Sequence, residues 1–202
     1  MPRTTQLETT EKILKAAETA FLSGGFRETS LDEVAAAAGV TKPTVYSHFG
    51  SKQGLLLALV ESHVSNNSHA ISSSLTASGD TAEDLLRFGT MFLGKILSKT
   101  EMKWRRLAMA ELAENPEIGK ACFKAGPARL LSFFSHFLEQ EAAAGRISCS
   151  EPDVAAEQFI GMLIGLQPMR ETTGHTVPNK AKQRKICEDA VTTFMAAYAN
   201  RK

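Results

Sequence analysis

Apolar residues recur at steps of three and four along nearly the whole 202-residue chain. Ile13, Leu14, Ala17 and Phe21 form one stripe, Leu85, Leu86, Phe88, Phe92, Leu93 and Ile96 another, and Phe133, Phe134, Phe137 and Leu138 a third. That period belongs to a helix, in which residues three and four apart share a face. No segment alternates β-branched with polar residues as a half-buried strand does, and no hairpin dipeptide joins two such segments. Gly24–Gly25, Gly39 and Gly50 close the first three helices, and Ser78–Gly79–Asp80, Asn115–Pro116, Gly126–Pro127 and Gly145–Arg146 mark later breaks. The stretch from Gln167 to Asn179, with Pro168, Gly174 and Pro178, reads as the longest loop. An all-α chain of about nine helices is expected.

Size and charge narrow the function classes. With 43% apolar and 22% charged residues, the chain can bury a sizeable core without staples. The longest apolar run in its first hundred residues is Leu55 to Val60, too short to span a bilayer, and MPRTTQLETT has no signal-like apolar segment. Cys122, Cys149 and Cys187 are odd in number and widely spaced, which fits neither a disulfide framework nor a zinc motif. A cytoplasmic protein with free thiols, no membrane partner and no cofactor is expected. A net charge of +1, from 23 basic and 22 acidic residues, excludes a globally basic nucleic-acid binder but not a local basic face.

Residues 30–49 carry the chemistry. Ser30-Leu31-Asp32-Glu33 is a capping box before a short helix with Leu31, Val34, Ala35 and Ala38 on one face. Gly39 suits the left-handed end of that helix, and Val40 plugs the turn. Thr41 can cap a second short helix with Pro43 in its first turn. There Val45 and Phe49 face inward, while Lys42, Thr44, Ser47 and His48 face out. This is a helix-turn-helix pattern. No Asp or Glu lies between Val34 and Val60, as contact with phosphates requires. An ordinary helical corner has the same outline.

The string ILKAAETAFLSGGFRETSLDEVAAAAGVTKPTVYSHFGSKQGLLL, from Ile13 to Leu57, resembles the N-terminal domain of TetR-type bacterial transcriptional regulators. The matching features are ILxAA, the Gly25-Phe26 turn, TSLDEVA, AGV, TVYSHF and the closing SK; Pro43 departs from the glycine more common there. RRLAMAELAENPEIGKACFKAGPARL and AAEQFIGMLIG more diffusely resemble the C-terminal domain of the AefR-like branch. The resemblance implies a three-helix DNA-binding domain in residues 1–52 and an effector-binding, dimerising helical domain in residues 53–202. It implies that Thr41, Lys42, Pro43, Thr44, Tyr46, Ser47 and His48 present the DNA-contacting surface. Thr29, Lys52 and the Tyr46 phenol would hold phosphates, and Arg3 would belong to a loose, solvated arm. Operator DNA, a second copy of the chain and a small-molecule effector would be the partners.

The remaining residues offer their own support. Val154-Ala155-Ala156 and Phe159 to Leu166 form a helix apolar on nearly every side, so its faces must be buried by its own domain and by a partner. Ile186, Ala190, Phe194 and Tyr198 stripe the last helix, with Val191 and Met195 beside them. Phe159, Met162, Leu163, Leu166, Val191, Phe194, Met195 and Tyr198 are the candidate dimer interface, a four-helix bundle across a two-fold axis; a monomeric core is the alternative. Phe88, Met91, Phe92, Trp104, Leu107, Met109, Phe123, Phe134 and Phe137 are the candidate effector cavity, with Trp104, His136 and Gln167 as polar handles. The same residues could simply be packed core. The helix starting at Ser51 would act as a lever, its Leu55–Val60 run packing on both domains.

Other chemistries find no footing. His63 and His69 are six apart and fall on different helix faces, so no metal site is expected. Arg105-Arg106 reads as a solvated face. No HExxH, P-loop, GxSxG or nucleophile–base pair stands out, so no catalytic residue is assigned. An all-α enzyme or scaffold with an incidental helix-turn-helix is the alternative function.

Overall fold

A computed structural model describes residues 2–112 and 114–200, without the side chains of residues 2–5 and Leu112. Eleven helices follow in order: α1 (Pro2–Gly24), α2 (Leu31–Ala38), α3 (Lys42–Phe49), α4 (Lys52–Ser72), α5 (Thr81–Ile96), α6 (Lys99–Leu112), α7 (Pro116–Ala125), α8 (Pro127–Ala143), α9 (Pro152–Ile164), α10 (Gln167–Thr172) and α11 (Lys180–Tyr198). The only β pairing among the described residues is an isolated bridge between Ile147 and Ala199. The all-α class is as expected, and the glycines at 24–25, 39 and 50 end α1, α2 and α3 as read from sequence. Two expectations change. The stretch from Gln167 is not loop throughout, because Pro168 sits in the first turn of α10, where its missing N–H breaks no hydrogen bond. Helix α1 begins at Pro2 in place of a loose arm, and the Arg3 side chain lies outside the described residues.

The chain forms two compact units. The first holds the chain up to Ser65 together with Lys103–Phe123; the second holds Asn66–Met102 and the chain from Lys124 onward. In the first, Ile13, Ala17 and Phe21 of α1 pack with Val34, Ala35 and Val45 of α2 and α3. Leu55, Leu56, Leu59 and Val60 of α4 and Trp104, Leu107 and Ile118 complete this core. The leucine run of α4 is thus spent in the first unit, where all four of these side chains are buried.

The second unit is built on stacked phenylalanines. Ring centroids lie 4.8 Å apart for Phe88–Phe134, 5.3 Å for Phe134–Phe159 and 5.3 Å for Phe159–Phe194, joining α5, α8, α9 and α11. Each buried ring contributes about 1.5–3 kcal/mol relative to exposure. Gly89 allows the close approach of α5: a Cβ there would meet Leu163 Cδ2 at 3.3 Å and Cys187 Sγ at 3.5 Å. Two fully buried carboxylates brace this unit. Arg146 donates Nε to Glu141 Oε2 at 2.7 Å and Nη2 to Oε1 at 2.6 Å, and the Thr81 hydroxyl donates to the same carboxylate. Asp84 accepts from the Ser78 N–H at 2.8 Å and pairs with Arg87.

Candidate nucleic-acid interface

Local chemistry fixes the two short helices. The Ser30 N–H donates to Glu33 Oε2 at 2.8 Å and the Glu33 N–H donates to Ser30 Oγ at 3.2 Å, the reciprocal bonds of a capping box. Gly39 takes φ 68° and ψ 33°, a left-handed conformation costly for other residues. Its N–H reaches Ala36 O at 3.2 Å, and the Val40 N–H reaches Ala35 O at 3.0 Å. Thr41 caps α3 through its hydroxyl, which lies 3.4 Å from the Thr44 N–H and 2.9 Å from the Thr44 hydroxyl. At the far end of α3 the chain passes so close to α4 that a Cβ on Gly54 would stand 2.1 Å from Phe49 O.

These constraints aim α3 outward. Thr41, Lys42, Pro43, Tyr46 and Ser47 are exposed, with Tyr46 46% accessible, while Val45 is buried. Thr44 and His48 are half-buried. His48 Nδ1 lies 3.0 Å from Thr10 Oγ1 and so also ties α3 to α1. The Ser47 hydroxyl donates to Thr44 O at 2.9 Å. Lys42 is not a bare cation. Its Nζ donates to Asp32 Oδ2 at 2.7 Å, and that hydrogen bond raises the lysine's pKa above the ordinary value. The acid-free segment is therefore not an acid-free surface, because Asp32 reaches across from α2. Lys52 Nζ donates to Arg27 O at 3.1 Å and sits 4.5 Å over the Phe26 ring, so it braces the α1–α2 turn from the start of α4.

Thr29 needs correction as a phosphate contact. It is buried, and its hydroxyl is committed to Gly25 O at 2.8 Å and Ala20 O at 3.3 Å, so it closes the turn from within. Sequence reading missed the partners Asp32, Thr10 and Arg27. They are brought in by the packing of separate helices, which no local spacing signals.

The candidate effector residues divide between the two units. Phe88, Phe92, Phe134 and Phe137 are buried and in ring contact within the second unit. Met91 and Phe123 are exposed, the latter 60% accessible, and Met109 is exposed too. Trp104, Leu107 and Phe123 belong to the first unit. The Trp104 ring stacks on His63 at 4.1 Å, and its Nε1 is buried without a partner. His136 is exposed and bonds to its own helix through Glu139 and Gln140, so it is no pocket handle. Gln167 is buried, with Oε1 unpaired.

The candidate dimer residues divide between core and surface. Phe159, Leu163, Val191 and Phe194 are buried inside their own unit, Phe159 against Phe88 and Phe134 of α5 and α8. Met162, Met195 and Tyr198 are half-buried, and Leu166 is 63% exposed. Between the outer faces of α9 and α11 lies an open cleft of about 460 Å³ lined by Gln158, Gly161, Met162, Thr193, Phe194, Ala197 and Tyr198. The Tyr198 hydroxyl donates to Gln158 Oε1 across it at 2.7 Å. Among the described residues no group of three or more His, Cys, Asp or Glu is placed to hold a metal ion, and no helix is long and apolar enough to cross a membrane.

Comparison with known proteins places this geometry. Residues 13–59 match the N-terminal domain of bacterial regulatory proteins of the tetR family, and residues 83–200 match the C-terminal domain of AefR-like transcriptional repressors. YvkB of Bacillus subtilis, an HTH-type transcriptional regulator, is 35% identical over 88 residues, 44% of this chain and 45% of that one. The HTH-type transcriptional activator FasR of Mycolicibacterium smegmatis is 36% identical over 74 residues, 37% of this chain and 34% of that one. The chain thus aligns with less than half the length of these curated relatives. A TetR-family regulator from Mesorhizobium loti is similar over 96% of this chain and 98% of its own, at 27% identity and a TM-score of 0.88. The flavonoid-responsive regulator FrrA covers the same shares at 25% identity and a TM-score of 0.80. These relatives are transcriptional regulators, which sets aside the enzyme reading. With both halves matched and the helix-turn-helix in place, the chain belongs to the TetR family of bacterial DNA-binding transcriptional regulators, with a C-terminal domain of the AefR-like kind.

Proposed function

We propose that the chain acts in the cytoplasm as a homodimeric repressor that binds a palindromic operator and is released by a small, mostly apolar effector. The exposed surface of α3 carries the DNA-binding part of this reading, because its caps and glycine turns hold Lys42, Pro43, Tyr46 and Ser47 outward on a rigid support. Residues 1–52 would contact DNA, and residues 53–202 would bind effector and dimerise. Two-fold symmetry would seat each recognition helix in a major groove of an inverted repeat. The match of residues 83–200 to AefR-like repressors favours repression over activation. The likeness to a regulator responsive to a flavonoid favours an apolar, aromatic effector.

Dimerisation would use what the α9 and α11 cores leave outside: Met162, Leu166, Met195 and Tyr198. The effector would seat among Phe88, Phe92, Phe134 and Phe137 only by repacking rings that already touch. Release of DNA by a hundredfold requires ~2.7 kcal/mol of difference in effector affinity between two conformations. A mobility shift on DNA upstream of the protein's own gene tests the regulator reading. Protection of an inverted repeat supports it; binding no tighter than to unrelated DNA of equal length overturns it. Sedimentation of wild type and of Met162→Glu with Leu166→Glu tests the dimer, and a wild-type monomer at micromolar concentration would refute it.

A further inference from the structure

Lys42 and Asp32 stand ten residues apart in sequence, one opening α3 and the other in the first turn of α2, and their side chains meet at the surface of the first unit. Nζ donates to Asp32 Oδ2 at 2.7 Å, with 44% of the lysine side chain and 66% of the aspartate exposed. The other acid of that turn, Glu33, is committed to the Ser30 N–H, so Asp32 is the carboxylate that reaches α3. The frame joining the two is short and fixed. Gly39 and Val40 close the turn with backbone bonds, and Thr41 caps α3. An exposed pair of this kind adds little to stability. Its consequence lies in what the lysine can do for DNA.

An ammonium neutralises a phosphate through its net charge, and each such contact releases about 0.9 of a counterion. The Asp32 carboxylate is 2.7 Å away, well inside the ~8 Å screening length of physiological salt. To a phosphate farther off, Lys42 and Asp32 together present no net charge. Hydrogen-bonding capacity survives. A lysine has three N–H donors; one goes to Asp32, leaving two on a side chain whose direction the carboxylate sets. Two donors suit the paired acceptors O6 and N7 that a guanine shows in the major groove. Lys52 differs, because the groups that hold it, the Arg27 carbonyl and the Phe26 ring, carry no charge.

We propose that Asp32 is a positioning residue for sequence readout: it discounts Lys42 as a phosphate anchor and aims its remaining donors at a guanine edge in each half-site. The guanine contact rests on the operator reading above. The discount does not, since it acts on DNA of any sequence.

The test measures affinity against salt on a duplex of unrelated sequence for wild type, Asp32→Asn, Lys42→Ala and the double variant. Asp32→Asn is nearly isosteric, and it leaves the Ser30–Glu33 capping box in place. Lys42→Ala alone should leave the slope of log affinity against log salt unchanged. Asp32→Asn should tighten binding and steepen the slope by about 0.9 for each recognition helix bound, and adding Lys42→Ala should return it to the wild-type value. Affinity lost in Asp32→Asn with the slope unchanged would mark a merely structural role and overturn the proposal. Lys42→Ala flattening the slope in the otherwise wild-type chain also overturns it, as does steepening by Asp32→Asn that persists without Lys42.

Duplexes that wild type retains from a random-sequence pool supply the second readout. There Lys42→Ala should erase a preference for guanine at one position per half-site, and Asp32→Asn should lower the ratio of selected to unrelated affinity about tenfold. Retention of the same guanine by Lys42→Ala overturns the guanine contact. A pool from which wild type enriches nothing overturns the operator reading, and the slopes on unrelated DNA still judge the pairing.

Discussion

The helix-turn-helix of α2 and α3 and the helical pair α9 and α11 were both conspicuous in the sequence, yet they differ in what holds them. The first is fixed by local bonds. Ser30 caps, Gly39 turns and Thr41 caps again, each within four residues of its partner. The second is fixed by rings from four helices that lie far apart in sequence. A local device reveals both its existence and its outward face, whereas a tertiary core reveals only that its residues are apolar. The caps and the exposed face of α3 are therefore readable nearly residue by residue, whereas periodicity does not separate buried from exposed positions on α9 and α11. Nothing in a period of 3.6 distinguishes a helix's own core from a face left for a partner, and Phe159 and Phe194 fall in the core.

The largest expected effect lies in the second unit. Phe159→Ala should destabilise it by about 3–5 kcal/mol, whereas Leu166→Ala, at an exposed position two residues past α9, should stay within about 0.5 kcal/mol in the monomer. Urea denaturation followed by circular dichroism measures both. Equal small losses would mean the ring stack is not the core.

A buried ion pair gives the next effect, with a pH signature. The Arg146 hydrogen bond, aided by Thr81, holds the Glu141 carboxyl below its ordinary pKa against the opposing pull of burial. Burial also pushes Asp84 up, but the Ser78 and Arg87 bonds outweigh it, so its pKa too is lowered. A carboxylate with a depressed folded pKa stabilises above its unfolded value and loses that contribution as pH falls through the folded one. The second unit should thus lose stability on acidification below about pH 4. Arg146→Ala leaves a fully buried carboxylate without its main partner, at a cost of about 3 kcal/mol near neutral pH. In that variant mild acid should restore part of the loss by protonating Glu141. A variant whose loss is the same at every pH would show that the charge is not the cause.

Two smaller changes sharpen the local side. Gly54→Ala drives a methyl group into the Phe49 carbonyl and should cost about 1–3 kcal/mol, while Gly161→Ala on α9, with nothing within 4 Å of the new Cβ, should gain up to about 1 kcal/mol in the monomer. Ser30→Ala removes one cap and should cost about 1 kcal/mol, read as a lower midpoint for the first unit. The sequence signalled the Ser30 cap directly. It could not signal Gly54, whose need arises only where the chain turns back past Phe49.

Lys52 tests where local reading ends. The family resemblance assigns it to phosphate, and the structure ties it to the Arg27 carbonyl and the Phe26 ring. These roles are compatible if the brace merely holds the ammonium at the surface, and they separate under salt. A lysine that neutralises one phosphate releases about 0.9 of a counterion, so Lys52→Ala should lower the slope of log affinity against log salt by about one unit and weaken all sequences alike. Lys42 or Tyr46 substitutions should instead change which base pairs are preferred. Lys52→Met separates packing from charge, because it keeps an apolar stem over Phe26 and removes only the cation. If Lys52→Ala and Lys52→Met both flatten the slope, the charge acts on DNA. If the slope stays as in wild type while Lys52→Ala alone loses affinity together with thermal stability, the lysine is a brace for the α1–α2 turn. The phosphate contact must then come from a residue that neither the spacing nor the family pattern named.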